Sequence, residues 1–268
     1  MAEPRLSAQR AFSLVELAVV LAIVGLLLGT AMYTLSAQTE QRAREETQRR
    51  LEQARDALIG FAVANGRLPC PANGGTTGVE AETTPGLGDC SFPYNGFLPA
   101  ITIGFQPVDP QGFALDSWNN RIRYAVAQTL NAATCVGGPP TLPHFTNKTQ
   151  LRQNGMSCQP NNTDLLICQS TQSAPAPVPG NCGPASNSVT NANPSGTVVA
   201  LILSTGKNFA SATAGAGPDE AANLDGDSVF ISHTLSPAGA PGGEFDDMMI
   251  WIPVGYFYGR LATAGVLP

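Results

Sequence analysis

The chain has 268 residues, a formal net charge of −6, 28 Gly and 22 Pro, so much of it is turn and loop around one modest core. The charge is uneven: residues 1–67 hold eight Lys/Arg against seven Asp/Glu, whereas from Leu68 onward six stand against thirteen. An acidic region without a basic stripe argues against a nucleic-acid partner, and six cysteines, all downstream of the one long apolar run, suit an oxidising compartment.

Residues 1–11 are short and polar, with Arg5 and Arg10 ahead of an apolar stretch from Leu17 to Met32. The positive-inside rule keeps such a leader cytoplasmic and exports the rest, giving a single-pass inner-membrane topology with a periplasmic C-terminal head. One carboxylate, Glu16, stands in "QRAFSLVELAVVLAIVGLLLG" at residues 9–29. At a helix centre in lipid an acidic side chain costs about 2.5–3.5 kcal/mol on insertion scales, so Glu16 needs a cationic partner or a helix terminus. A secretory signal would be cut after the apolar core, and "LSAQTEQ" at 35–41 offers a weak version of that site. The helical pattern continues past it, however. From Ser36 to Ala64 there is no Pro and no Gly except Gly60, and Leu51, Ala54, Leu58, Phe61 and Ala62 fall at helical spacing. One helix from about Phe12 to Asn65 follows, apolar all round over residues 12–35 and amphipathic over 36–66. Gly25 and Gly29 either permit close helix approach, loosen the helix, or are simply the glycines common in membrane helices. Over residues 38–56, Glu45–Arg49 and Glu46–Arg50 are spaced for i, i+4 ion pairs.

"NGRLPCPANGG" at 65–75 ends the helix, because Asn65 or Gly66 can take the left-handed position and Pro69 and Pro71 forbid continuation. Residues 67–268 form the globular head. Residues 72–120 read mostly as loop with "GFLPAITIGF" as a short strand, and clearer strands follow at 121–129, 197–204, 228–234 and 247–254. An antiparallel sheet packed on the second half of the helix gives an α+β class. The segment 172–196 is low in complexity and reads as a surface loop. Six cysteines permit fifteen pairings; sequence-neighbour bridges Cys70–Cys90, Cys135–Cys158 and Cys168–Cys182 would staple the longest loops. No Cys-x-x-Cys pair exists and the two histidines, His144 and His233, stand alone, which disfavours zinc. No nucleophile elbow or metal-helix motif appears, so an enzyme is not expected.

"AFSLVELAVVLAIVGLLLG" resembles the class III signal of type IV pilins and type II secretion pseudopilins. That signal has a small residue, then Phe, then an acidic residue fifth in the mature chain, then about twenty apolar residues. The resemblance implies cleavage by a prepilin peptidase between Ala11 and Phe12, with Ala11 where Gly is usual, and methylation of the new Phe12 amine. It also implies assembly with other pilin or pseudopilin subunits through an inner-membrane assembly platform, Glu16 pairing with the Phe12 amine of a neighbour. The local alternative is that Glu16 serves its own helix start. The product is a periplasmic or extracellular filament. "LDSWNNRIRY" at 115–124 looks like the Asp-x-Trp-x-Asn-x-x-x-Tyr element of the major pseudopilin, through Asp116, Trp118, Asn120 and Tyr124. "LILSTGKNF", followed later by "GGEFDDMMIW", is similar to that family's Ser-x-Gly and Asp-Asp strand. The family often binds calcium near these loops. Asn208 stands here where an acid is expected, while Asp225, Asp227, Glu244, Asp246 and Asp247 supply the hard oxygens calcium favours, although Asp-Gly-Asp is also ordinary turn chemistry. Length, cysteines and irregular loops favour a minor structural subunit; the alternative is a tip adhesin on the same anchor, with affinity in the loops between Cys70 and Cys182.

Overall fold

The computed structural model describes residues 14–130, 135, 141–160, 164–190, 198–210 and 217–267, and of 28–37 and 210 the backbone only. The chain falls into two units, Met1–Glu45 and Glu46–Pro268. Helix α1, Leu14–Asn65, contributes to both. Every described side chain from Leu14 to Leu27 is exposed, the large apolar ones by 42% (Val24) to 86% (Leu14). Among the described residues no helix is long and apolar enough to cross a membrane, so the expected span over 12–35 is not displayed by them.

In the second unit α1 turns amphipathic and buries Leu51, Ala54, Leu58 and Ala62 completely. It stops where the sequence demands: Gly66 adopts φ +71°, its N–H donates to the Ala62 carbonyl at 2.8 Å, and the Asn65 side chain donates to the Phe61 carbonyl at 2.9 Å. The ion pairs differ in part from expectation. Arg50 meets Glu46 at 3.0 Å, but Arg49 also turns to Glu46, at i, i+3, while Glu45 accepts from Gln41.

Four strands, β1 (Gly96–Phe97), β2 (Arg123–Val126), β4 (Val198–Ser204) and β6 (Met248–Pro253), form a sheet of order β1-β2-β4-β6 with every neighbour antiparallel. All seven residues of β4 are buried, which explains its unbroken apolar run: a strand covered on both faces has no solvent side to alternate with. One core joins β4 to Leu51, Leu58 and Ala62 of α1 and to Phe257 and Leu261 of α5 (Val254–Thr263). The molecule is therefore α+β, with three disulfides, Cys70–Cys90, Cys135–Cys158 and Cys168–Cys182.

Two details depart from the sequence reading. "GFLPAITIGF" is only two residues of strand, followed after Pro99 by a single helical turn, α2 (Ala100–Ile103), closed by Gly104 in the left-handed conformation. "SVFISHT" supplies β5 (Val229–Ile231), which pairs in parallel with β3 (Leu166–Cys168) in a separate two-stranded sheet rather than joining the antiparallel one. The segment after Cys168 is stitched to that small sheet: the amide of buried Asn187 donates to the Ser170 and Cys182 carbonyls at 2.9 and 2.8 Å, and Val189 N–H reaches the Ile167 carbonyl.

Candidate functional site

Glu16 lies in the first turn of α1, among exposed apolar side chains. There the partial positive charge of the helix start acts on its carboxylate. Ala11 and Phe12 lie outside the described residues. An apolar helical surface of this extent needs a cover, lipid or other helices, because contiguous exposed apolar area marks an interaction site.

The head is fastened to α1 by the Asp116 turn. Asp116 is 1% exposed and accepts from the Trp118 and Asn120 amides at 2.9 and 2.8 Å and from Ser204 Oγ at 2.7 Å. Burial pushes its carboxyl above the ordinary range, against those hydrogen bonds and the nearby Arg50 charge. Arg50 Nη1 donates to the Leu115 and Asp116 carbonyls at 3.0 and 2.8 Å, and the Ser117 amide donates to buried Thr47 Oγ1 at 3.2 Å. The turn thus binds helix to β4 in one network. Tyr124 is buried on the same sheet, its hydroxyl donating to the Pro69 carbonyl at 3.2 Å.

A second constellation gathers carboxylates. The oxygens of Glu220, Asp246 and Asp247 lie within 4.8 Å of one another, with Glu220 and Asp247 1% and 7% exposed. Asp246 Oδ2 accepts from the Lys207 and Asn208 amides at 2.9 and 3.1 Å, and the Asp246 amide donates to Glu220 at 2.8 Å. Gly206, at φ +66°, is required there because a Cβ would run into the Asp246 carboxylate. Asp246 Oδ1 is buried without a hydrogen-bond partner. Burial raises Asp246 to about 6 and Asp247 to about 8, with Glu220 repelling in both cases. The donor set fits a hard cation: three carboxylates, one orphaned oxygen, and two amide side chains beside them. Asn208 donates to Glu220 at 2.9 Å and Asn223 to Asp247 at 2.8 Å, the Asn223 amide being fixed in that orientation by its pair of hydrogen bonds with the Ile231 backbone.

This cluster differs from the expected set. Asp225 and Asp227 are occupied in their own turn, accepting from the Asp227 and Val229 amides, and Glu244 acts on Asp246 through space only. Glu220 is absent from the expected set because it sits in a five-residue helix, α4 (Pro218–Ala222), that carries no motif. Ser170, Thr171 and His233 all address Asp219, with His233 Nε2 3.3 Å from Oδ2 and Ser170 Oγ 3.3 Å from Oδ1. Hydroxyl and imidazole both face the carboxylate, which is not the serine-to-histidine order of a nucleophile relay.

The chain has no significant match among curated proteins or solved structures. Residues 6–32 match the family model described as the prokaryotic N-terminal methylation motif. That segment contains Ala11, Phe12 and Glu16 and runs into the exposed apolar part of α1. The chain therefore carries the signature of the prepilin-type cleavage signal, the substrate motif of prepilin peptidase found in type IV pilins and pseudopilins.

Proposed function

We propose that the protein is a minor structural subunit of a type IV pilus or type II secretion pseudopilus, cut between Ala11 and Phe12 and held in the filament through its N-terminal helix. The observation that carries this reading is the coincidence of the methylation motif at 6–32 with a helix whose described side chains from Leu14 to Leu27 are all exposed. Cleavage creates an α-amino group, cationic at neutral pH. In an apolar surround a lone ammonium and a lone carboxylate are each costly, and pairing offsets both. Glu16 of one subunit then meets the Phe12 amine of the next and fixes axial register. Glu220, Asp246 and Asp247 would hold a calcium ion, whose charge would offset their mutual repulsion.

The test is the N-terminus of the mature protein. Mass spectrometry of membrane-extracted protein is expected to find the chain starting at a methylated Phe12. A terminus near Ala37 would mean an ordinary secretory signal and no filament anchor.

A further inference from the structure

A cavity of about 230 Å³ opens between Phe97 of β1, Asn119, Asn120, Arg121 and Arg123 of the β2 region, and Thr205 and Phe209 after β4. Neither the filament anchor nor the carboxylate cluster uses it. At about 30 Å³ per liquid water it holds about seven or eight waters' worth of ligand, the scale of one small ring.

Its two cations are not equivalent. Arg121 is spent: Nε lies 2.7 Å from Asp109 Oδ2 and the guanidinium carbon 4.1 Å from the Phe113 ring centroid. Among the described residues Arg123 makes one hydrogen bond, from Nη1 to Asn95 Oδ1 at 2.7 Å, and it lies 5.1 Å over the Phe97 ring. Among the described residues no carboxylate comes within the 4.0 Å of an ion pair with it, and Asp247 acts on it through space alone. The second observation is independent. Thr205 is 3% exposed, lines the cavity, and its Oγ1 is buried with no hydrogen-bond partner. A buried hydroxyl without a partner is a group the fold leaves unsatisfied until something enters. Asn119, held at φ +67° in a region that asparagine tolerates better than most residues, adds an amide at the wall. One guanidinium without a carboxylate in contact and one hydroxyl suit a monovalent, planar, two-oxygen anion better than a phosphate dianion, and guanidinium–carboxylate geometry is bidentate. The two phenylalanines suit a flat apolar body.

We propose that this cavity binds a small aromatic carboxylate, its oxygens on Arg123 and Thr205 and its ring between Phe97 and Phe209. Ligand-observed NMR on the full processed protein in maltoside micelles is the test, with benzoate as probe and benzamide as its uncharged match. Benzoate is expected to bind saturably at about 1 mM, as ligands of this size do, with benzamide at least tenfold weaker. Arg123→Gln should weaken benzoate at least tenfold. Thr205→Val should weaken it several-fold without lowering the thermal midpoint, because it removes an unsatisfied hydroxyl and keeps the shape, so lost binding cannot be mistaken for lost folding. No saturation at ten times the expected constant overturns the proposal. So does benzamide binding as well as benzoate, or both variants binding like the native protein, which would place the probe in the micelle.

Discussion

Helix α1 is one element with two opposite fates. Between Leu14 and Leu27 its apolar side chains are exposed, whereas Leu51, Ala54, Leu58 and Ala62 are wholly buried. The residue types hardly differ; what differs is the cover. The head wraps the later turns with β4 and α5, and the Asp116 turn locks them there through Arg50 and Thr47. The earlier turns present about as much apolar chemistry with one carboxylate in it. A leucine's contribution to folding comes from removing its surface from water, so the first segment does little for the stability of the isolated chain and its burial must come from lipid or other subunits.

The comparison breaks most sharply at Glu16. Glu16→Val should leave precursor cleavage and the melting of the head unchanged and should insert at least as well, since a charge is removed from the apolar run. Docking should fail, because the neighbour's amine is left buried and unpaired, a loss of about 3–5 kcal/mol. That is about a hundredfold or more in incorporation, read as cross-linking between subunits. Unchanged cross-linking would assign the carboxylate to its own helix start.

The buried half gives the converse. Leu58→Ala should destabilise the head by about 3 kcal/mol through lost transfer energy and the cavity left behind, seen as a lower denaturant midpoint. Leu21→Ala, at a position 62% exposed, should stay within about 0.5 kcal/mol of the native value. If both behaved alike, the two halves would not differ in cover as described.

Sequence made the first half more legible than the second. The motif around Phe12 and Glu16 is short and contiguous, so it needs no tertiary information. The helix stop at Gly66 and strands β2, β4 and β6 were readable for the same local reason: a glycine before prolines, and apolar runs. Helix α5 is hard to read from sequence although Phe257, Tyr258 and Leu261 carry its buried face, because two glycines and the preceding apolar strand obscure the change of period. The parallel pairing of β3 with β5 joins residues 63 apart in the chain, Leu166 with Val229 and onward, and no local pattern encodes it. Glu220 joins Asp246 and Asp247 only through tertiary folding, so the expected ligand set kept the conspicuous Asp-Gly-Asp turn and lacked the buried glutamate.

Within the head, His144 tests how dry the covered region is. It is fully buried and burial lowers its pKa to about 4. Its Nε2 lies 3.0 Å from the hydroxyl of Tyr258, which itself donates to the Cys158 carbonyl, and the backbone of Gln150 and Gly155 offsets only part of the burial. With the folded value below the unfolded one of 6.5, the neutral ring's contribution is full above pH 6.5 and is lost as pH falls toward 4. The loss is up to about 3 kcal/mol at the low end. Urea unfolding of the native protein and of His144→Leu between pH 7 and pH 4 should show a steeper acid limb for the native chain. Parallel limbs would mean that the ring is hydrated.

The smallest effect concerns the carboxylate cluster, which has the opposite sign. Asp246 and Asp247 have folded values raised by burial to about 6 and about 8. Without metal their contribution is full below the unfolded value of 3.8 and is lost as pH rises through those folded values. Glu220 and Asp246 disfavour ionisation of Asp247, Arg123 favours it, and Asn223 donates to it. A calcium ion among them would reverse the balance, since it would bind the ionised forms and have to displace their protons. Calcium stabilisation should therefore grow from pH 6 to pH 8, opposite to the drift of the metal-free protein. At a calcium concentration about ten times a typical extracellular dissociation constant, the gain is about 1.4 kcal/mol, a rise of about 3–5 °C in the thermal midpoint for a domain of this size. Asp247→Asn should abolish the calcium response while leaving the Leu58 and His144 effects intact. A calcium shift that is flat with pH, or that survives Asp247→Asn, would place the ion elsewhere.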